Sequence, residues 1–281
     1  MSTSVWAAVR RAYASGVLDM GYPFARNVRY VGSNAPTGVT AYNTIADAIA
    51  ALIAGDLLIL GPQAFAEGNL SISVANVTII GMGNRGACYI EPSGANDEGL
   101  QILADDVTLI NVGVAKGASG DYALAVGSQT VSPDRFRAYG CKIEGDGVAC
   151  KLWGCGDILF EDCEFAWCGT AIQLASNDIG FVTQTYIRKC RFHNFVDVGI
   201  GHVAAAQQVN NLNVEDCVFE EQEDGTAPTD FILLSDNANV GCFSGNRFAT
   251  PTNDTAVLTI GSGILWMANA TEAGWSTARP A

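Results

Sequence analysis

The sequence predicts an all-β fold, a single-stranded right-handed parallel β-helix whose short strands stack coil upon coil. Three observations support this prediction. An eight-residue unit recurs at near-constant spacing, apolar and polar residues alternate inside each unit, and glycine or Asn/Asp clusters separate the units. The chain has 281 residues, of which 49% are hydrophobic, and contains 31 glycines. This composition suits many short strands joined by tight turns better than it suits long helices.

The recurring unit predicts the register of the coils. Copies lie at residues 77–84, 107–114, 136–143, 158–165, 185–192, 212–219 and 241–248. The sixth position of the unit, taken as a marker, is occupied by Met82, Val112, Cys141, Cys163, Cys190, Cys217 and Asn246. Successive markers are about 22–30 residues apart, which is the length of one coil of a β-helix. In the copy at 158–165 the alternation slips by one residue at Asp162, which predicts a corner between two sheets.

A short helix is expected to cover the first coil. Thr44 can cap its amino end, Asp47 follows three residues later, and Gly55 can end it. Because the open end of a parallel solenoid must be covered, residues 44–54 are interpreted as a capping helix. The predicted division of the chain is an N-terminal arm and lead-in at 1–43, the β-helix at 44–260, and a C-terminal cap or tail at 261–281.

Charge and composition narrow the expected partners. The net charge of −14 argues against nucleic acid, which requires clustered Lys and Arg. No stretch reaches the roughly 18 apolar residues of a membrane span, and residues 1–16 lack an apolar signal core. We therefore expect no membrane partner and synthesis in a reducing cytoplasm.

The nine cysteines follow the repeat rather than a metal or disulfide pattern. Cys141, Cys163, Cys190 and Cys217 share one position and are predicted to form an internal stack of small side chains. Metal ligation would need close pairs of the CxxC type, so neither a metal site nor a cofactor is predicted.

The acidic residues have two interpretations. Glu161, Arg188 and Glu215 share one repeat position, Asp162, Lys189 and Asp216 the next, and Glu164 and Arg191 a third. Opposite charges on neighbouring strands are typical of a solvated charge ladder, and a catalytic carboxylate cluster is the alternative. His202 follows Gly201 as in some glycan hydrolases but lacks accompanying motifs, and His193 is expected in a turn. No catalytic residue is therefore assigned.

The segment 44–83 contains AIAALIAGDLLILGP and NVTIIG. It resembles the opening of pectate-lyase-superfamily β-helices, pectin esterases included. This resemblance implies an architecture shared by lyases, esterases, hydrolases, epimerases and non-enzymatic phage proteins, so it does not specify a chemistry. The short arm, the modest solenoid and the polar and aromatic tail also resemble small phage-encoded β-helix proteins.

Two functions are compatible with these patterns. The first is a non-enzymatic structural protein of a virion, either a capsid decoration protein or a small spike, which forms a homotrimer and contacts the major capsid protein or another virion protein. Its interface candidates are Val5, Trp6, Val9, Tyr13, Leu265, Trp266, Met267 and Trp275. Packing of these residues against the solenoid ends is the alternative explanation for them.

The second function is a tailspike-type depolymerase or receptor-binding protein that acts on bacterial surface glycans. Its groove would use the aromatic residues Tyr122, Tyr139, Trp153 and Trp167 together with acids of neighbouring coils.

Overall fold

The computed structural model describes residues 27–33, 35, 39–175, 180–202, 209–220, 228–234, 240–249, 257–260, 264–267, 269–271 and 274–276. Each coil contributes strands to three parallel rows that run along the solenoid axis, which confirms the predicted parallel β-helix. The described part of the chain has no helix that is long and apolar enough to cross a membrane.

The first row is one sheet of eleven strands. Its strands are β1 (Val28–Val31), β2 (Thr40–Tyr42), β3 (Leu57–Leu60), β6 (Val77–Gly81), β9 (Val107–Ile110), β12 (Arg137–Tyr139), β15 (Ile158–Glu161), β17 (Val182–Arg188), β19 (Val209–Glu215), β22 (Val240–Ser244) and β25 (Ile264–Met267). Strands β1 and β2 precede residue 44 and β25 follows residue 260, so the sheet extends beyond the predicted solenoid limits at both ends.

The second row holds mostly short strands. They are β4 (Ala64–Phe65), β7 (Tyr89–Ile90), β10 (Gly113–Val114), β13 (Lys142–Glu144), β16 (Glu164–Ala175), β18 (Arg191–His202), β20 (Val218–Glu220), β23 (Arg247–Ala249), β26 (Asn269–Thr271) and β27 (Gly274–Ser276), of which the last pairs antiparallel with β26.

The third row comprises β5 (Leu70–Ile72), β8 (Leu100–Ile102), β11 (Tyr122–Val126), β14 (Val148–Trp153), the carboxyl halves of β16 and β18, β21 (Asp230–Leu234) and β24 (Val257–Ile260). Because β16 and β18 are each twelve residues long and bend from the second row into the third, the two rows join at these strands.

A column of inward side chains in the second row forms the centre of the core. Hydrogen-bond register aligns Phe65, Ile90, Val114, Ile143, Phe165, Phe192, Phe219 and Phe248 on successive coils. The rings of Phe165, Phe192, Phe219 and Phe248 stack at centroid distances of 4.9, 4.4 and 4.8 Å. These distances match the spacing of neighbouring strands, so the coil repeat places one ring directly above the next.

The corner predicted at Asp162 is confirmed. Asp162 has φ 53°, and the equivalent residues of other coils also have positive φ: Asn111, Gly140, Lys189, Asp216 and Gly245. A left-handed residue here turns the chain sharply between the first and second rows, and the next side chain then points inward.

The marker position directly follows the corner residue. In one coil the residue predicted to occupy it, Met82, is wrong. Cys88, rather than Met82, occupies it, because Cys88 directly precedes Tyr89 as Val112 precedes Gly113. Residues 82–87 form an inserted loop, and Met82 instead packs on a small outer apolar cluster with Ile59 and Ile80. The sequence signal for the true position was the inward Ile90 two residues after Cys88.

The capping helix α1 spans Ile45–Ala50, which is shorter than the predicted 44–54. Thr44 is the N-cap as predicted, and its Oγ1 accepts a hydrogen bond from Asp47 N at 3.0 Å. Glu67, from a later coil, adds a second cap by accepting from Ile45 N and Ala46 N. Ile45 is buried in the main core together with Ala48 and Leu52, so the predicted apolar face covers the first coils.

Candidate functional site

The predicted charge ladder on the outer face of the first row has the expected register. Glu161 pairs with Arg188, and Arg188 pairs with Glu215, on successive strands. Arg188 Nε lies 3.0 Å from Glu215 Oε2, and Lys189 Nζ lies 3.6 Å from Glu161 Oε1. These half-exposed pairs each contribute only about 0.2–1 kcal/mol, and they hold the carboxylates in structural contacts.

The outer face of the second row has a related arrangement with different partners. Glu164 and Arg191 are register neighbours as predicted. Arg191 binds Glu220 at 2.7 Å, while Glu164 lies 3.2 Å from His193 Nε2 and 3.9 Å from Arg85 Nη1. His193 belongs to strand β18, so the expectation that it lies in a turn was wrong.

Two further sets of acids are also held by arginine. Arg135 contacts both Asp106, at 2.6 Å, and Asp105, at 3.6 Å. Asp56 is buried and accepts hydrogen bonds from Arg29 Nε, Asn27 Nδ2 and Ile53 N. Burial alone would raise the pKa of Asp56, but these hydrogen bonds outweigh it and the pKa is below its ordinary value.

The cysteine stack is internal, as predicted. Cys141, Cys163, Cys190 and Cys217 are buried, and each later thiol donates to a carbonyl oxygen of the preceding coil, as Cys217 Sγ does to Ile187 O at 3.5 Å. Burial raises the pKa of Cys163 and Cys190 well above the ordinary thiol value. All nine cysteines are free thiols, and the described residues contain no group of His, Cys, Asp and Glu placed to hold a metal ion.

The stack continues as an asparagine ladder at the same coil position. Asn246 Nδ2 donates to Val214 O, and Asn269 Nδ2 donates to Phe243 O, both at 2.9 Å. Asn246 Oδ1 also accepts from Cys217 N at 2.9 Å. The marker position is therefore a structural column in which the thiols from Cys141 to Cys217 and the amides of Asn246 and Asn269 have backbone partners.

The four glycan-groove candidates do not share one face. Tyr139 lies in the first row and Trp167 in the second, whereas Tyr122 and Trp153 lie in the third. Tyr122 is buried, and the ammonium of Lys151 covers the ring of Trp153 at 4.3 Å. Trp167 alone of the four has a large exposed fraction, 51%.

Trp167 lies in a cleft of about 410 Å³ at the bend where the second row passes into the third. Three successive coils line it, the first with Asp146, the second with Trp167 and Gly169, and the third with Asn194, Val196 and Asp197. Asn194 is buried and its side-chain amide lies 3.1 Å from His193 Nδ1. Trp167 and Asp146 were both among the sequence-based candidates, whereas Asp197 was not, because it follows a register shift between strands β16 and β18 after Cys168.

A second candidate surface lies on the outer face of the first row at its last two strands. Val240, Leu265 and Met267 are exposed by 49%, 55% and 42%, and half-buried Cys242 is the register neighbour of Leu265. We call these four residues the C-terminal apolar face.

The interface candidates divide accordingly. Leu265 and Met267 are exposed, whereas Trp266 points inward and stacks on Phe248 at 5.6 Å, because alternate residues of a strand face opposite sides. Trp266 is thus explained by packing in the solenoid. Val5, Trp6, Val9 and Tyr13 lie outside the described residues, as does the side chain of Trp275.

Comparison with known proteins gives the fold and the family. A pectin methylesterase from Aspergillus niger superposes with a TM-score of 0.61 at 15% identity, covering 90% of this chain and 88% of that chain. The pectate lyase Pel9A superposes with a TM-score of 0.57 at 10% identity, covering 80% of this chain and 63% of that one. At these identities the likeness shows the fold alone.

No curated protein sequence matches the chain. The family model described as "Right handed beta helix region" matches residues 64–256. The three rows of parallel strands, the inward columns and this match together show that the chain belongs to the right-handed β-helix family.

Proposed function

We propose that the chain is a non-enzymatic structural protein of a phage particle, a capsid decoration protein or small spike that assembles as a homotrimer. The observation that carries the proposal is the C-terminal apolar face. Exposed apolar side chains on adjoining strands mark contact surfaces more often than isolated ones do. Leu265 and Met267 are side by side on the solvent face of one strand, with Val240 and Cys242 on the strand before.

Charge supports the use of this face between identical copies. A net charge of −14 makes copies repel one another over most of their surfaces. The four side chains of the C-terminal apolar face are uncharged, so their burial between copies adds nothing to this repulsion. A solenoid edge that meets its copies around a threefold axis forms a closed assembly, which limits growth to a trimer.

The outer acids support a structural role more than a catalytic one. Glu161, Glu215 and Glu164 are held in ion pairs between strands, and Asp105 and Asp106 are held by Arg135. These contacts stabilise neighbouring coils against one another. The glycan-acting alternative, drawn with four aromatic residues in one groove, has less support because those residues lie in three different rows.

The placement in a phage particle rests on the resemblance to small phage-encoded β-helix proteins. Under this proposal the partner is the major capsid protein or another virion protein, and the site of function is the virion.

The experiment is quantitative mass spectrometry of density-purified particles from a strain that carries the gene, with immunogold labelling of the same particles. The proposal expects many copies per particle and labelling on the surface. Absence from purified particles, with the protein present in the lysate, would refute it. Release of reducing ends or unsaturated sugars from host capsule or lipopolysaccharide by the purified chain, and not by heat-denatured chain, would also contradict the non-enzymatic role.

A further inference from the structure

The floor of the cleft around Trp167 is formed by exposed apolar side chains that the β-helix does not need for its own packing. Trp167 is 51% exposed and Val196 is 49% exposed, and both residues line the same concave surface. The register places Gly145 and Asn194 on the coils before and after Trp167. The neighbouring coils form the same bend with a glycine, Gly145, and with an asparagine, Asn194. A large aromatic residue is therefore not needed to form the bend.

Carboxylates stand on both sides of this aromatic floor. Asp146 belongs to the coil before Trp167, and Asp197 belongs to the coil after it. Both residues are exposed, and within the described part of the chain neither carboxylate takes part in an ion pair or a hydrogen bond. They differ in this respect from Glu161, Glu164 and Glu215, whose oxygens are held by cationic side chains.

The backbone between the two aspartates leaves room for their carboxylates to face the cleft. A Cβ on Gly169 would lie 2.8 Å from Asp197 Oδ2 and 3.1 Å from Gly147 O, so glycine makes room for the Asp197 carboxylate. Lys116 flanks Asp146, but its ammonium donates to the carbonyl oxygens of Gly117 and Ala118 at 3.1 and 3.3 Å. The oxygens of both aspartates therefore remain available as acceptors toward the cleft.

We propose that this cleft binds a neutral pyranose ring of a polysaccharide. A pyranose ring has a face of C–H groups and a rim of hydroxyl donors. The face would lie on the indole of Trp167 and beside Val196, and the hydroxyls would donate to the carboxylates of Asp146 and Asp197, which are acceptors only. Hydrogen bonds to ionised acceptors are the stronger kind, and two of them fix the orientation of the ring.

The charge of the site selects the class of sugar. A uronic acid would bring a third carboxylate between Asp146 and Asp197, on a chain whose net charge is already −14. Neutral rings avoid this repulsion. The cleft volume of about 410 Å³ lies at the small end of the range of ligand pockets, roughly 300–1,000 Å³, which suits a short segment of a glycan. This site is separate from the C-terminal apolar face and does not depend on the proposed assembly.

The experiment uses the full chain labelled with ¹⁵N. The indole N–H signal of Trp167 is assigned from its loss in Trp167→Phe, and cellohexaose, maltohexaose, chitohexaose and hexagalacturonate are titrated separately to millimolar concentration. We expect at least one neutral hexaose to shift this signal and hexagalacturonate to leave it unchanged. Asp197→Asn, followed by the same signal, and Trp167→Ala, followed by isothermal titration calorimetry beside the wild-type chain, should each weaken binding by about tenfold or more.

Two variants separate binding from general surface effects. Gly169→Ala removes no polar group but displaces the Asp197 carboxylate, so it should weaken binding as well. Phe181→Ala, which removes an aromatic side chain of similar exposure outside the cleft, should leave binding unchanged. Failure of all three neutral hexaoses to shift the Trp167 signal, tighter binding of hexagalacturonate, or equal loss in Phe181→Ala would overturn the proposal. Circular dichroism of each variant checks that the coil structure is retained.

Discussion

The asparagine ladder offers a quantitative test of the coil register. Replacement of Asn246 by alanine removes three hydrogen bonds: from Cys217 N to Oδ1, and from Nδ2 to Val214 O and to Asn269 Oδ1, each at 2.9 Å. Asn246 is fully buried, so water cannot replace these partners. A buried polar group left without a partner costs about 1–3 kcal/mol, so Asn246→Ala should lower the free energy of unfolding by roughly 3–5 kcal/mol.

The matched variant is Asn246→Cys, which introduces the residue that occupies this position in five other coils: Cys88, Cys141, Cys163, Cys190 and Cys217. Its thiol can donate to Val214 O as Cys217 Sγ donates to Ile187 O, so only two partners are lost. Asn246→Cys should therefore lower the free energy of unfolding by about 1–2 kcal/mol less than Asn246→Ala does. The control is Asn210→Ala, an exposed site, with an expected effect within about 0.5 kcal/mol.

The assay is equilibrium unfolding in urea followed by circular dichroism, with midpoints compared at equal slope. We expect Asn246→Ala to be the least stable of the three variants and Asn210→Ala the most stable. This expectation would be refuted if Asn246→Ala unfolded within 0.5 kcal/mol of Asn210→Ala, or if Asn246→Cys were no more stable than Asn246→Ala.

Three further predictions concern the core, the buried ion pair and the thiols. Phe192→Ala should destabilise the fold by about 3–5 kcal/mol in the same assay, because it leaves a cavity between two stacked rings, and Phe192→Leu should cost less. Asp56→Asn should cost about 3–5 kcal/mol at neutral pH, because it leaves the largely buried Arg29 without its charge partner. Since the folded pKa of Asp56 is lowered, its contribution is complete above the ordinary aspartate value of 3.8 and is lost as the pH falls through the folded value. In native protein at pH 8, a thiol reagent should label the half-buried Cys242 first, because burial keeps thiols such as Cys163 protonated and inaccessible, and denaturant should expose all nine.

Each of these predictions has a result that contradicts it. Equal stability of Phe192→Ala and Phe192→Leu would mean that packing of the stacked phenylalanine rings does not contribute measurably to the free energy of unfolding. A stability difference between wild type and Asp56→Asn that did not shrink below pH 3.8 would remove Asp56 as its source. Rapid native labelling of several thiols would contradict the internal stack.

Much of the fold was predictable because the coil repeat imposes one environment on each position. The stacked cysteines, the charge register and the corner at Asp162 all follow from a residue type that recurs at a fixed spacing. Met82 was misassigned because an inserted loop displaced the marker to Cys88, and spacing alone does not locate an insertion.

The candidate sites were less predictable, because they depend on which side chains meet across coils. Trp266 and Leu265 are adjacent in sequence and equally apolar in type. Which of the two faces the core depends only on the phase of the inward–outward alternation along the strand. Asp146 and Asp197 lie 51 positions apart and come together only through the bend in β16 and its register shift. The aromatic residues chosen for a groove had the right chemistry, but they are distributed over three rows.

The most direct test of the proposed function is sedimentation equilibrium of the purified full chain. We expect an assembly of three times the chain mass of 29.5 kDa. The double variant Leu265→Asp with Met267→Asp should be monomeric, while Ile53→Asp, a charge at an exposed apolar site outside the C-terminal apolar face, should remain a trimer. A monomeric wild-type chain, or a double variant that still forms the trimer, would contradict the account.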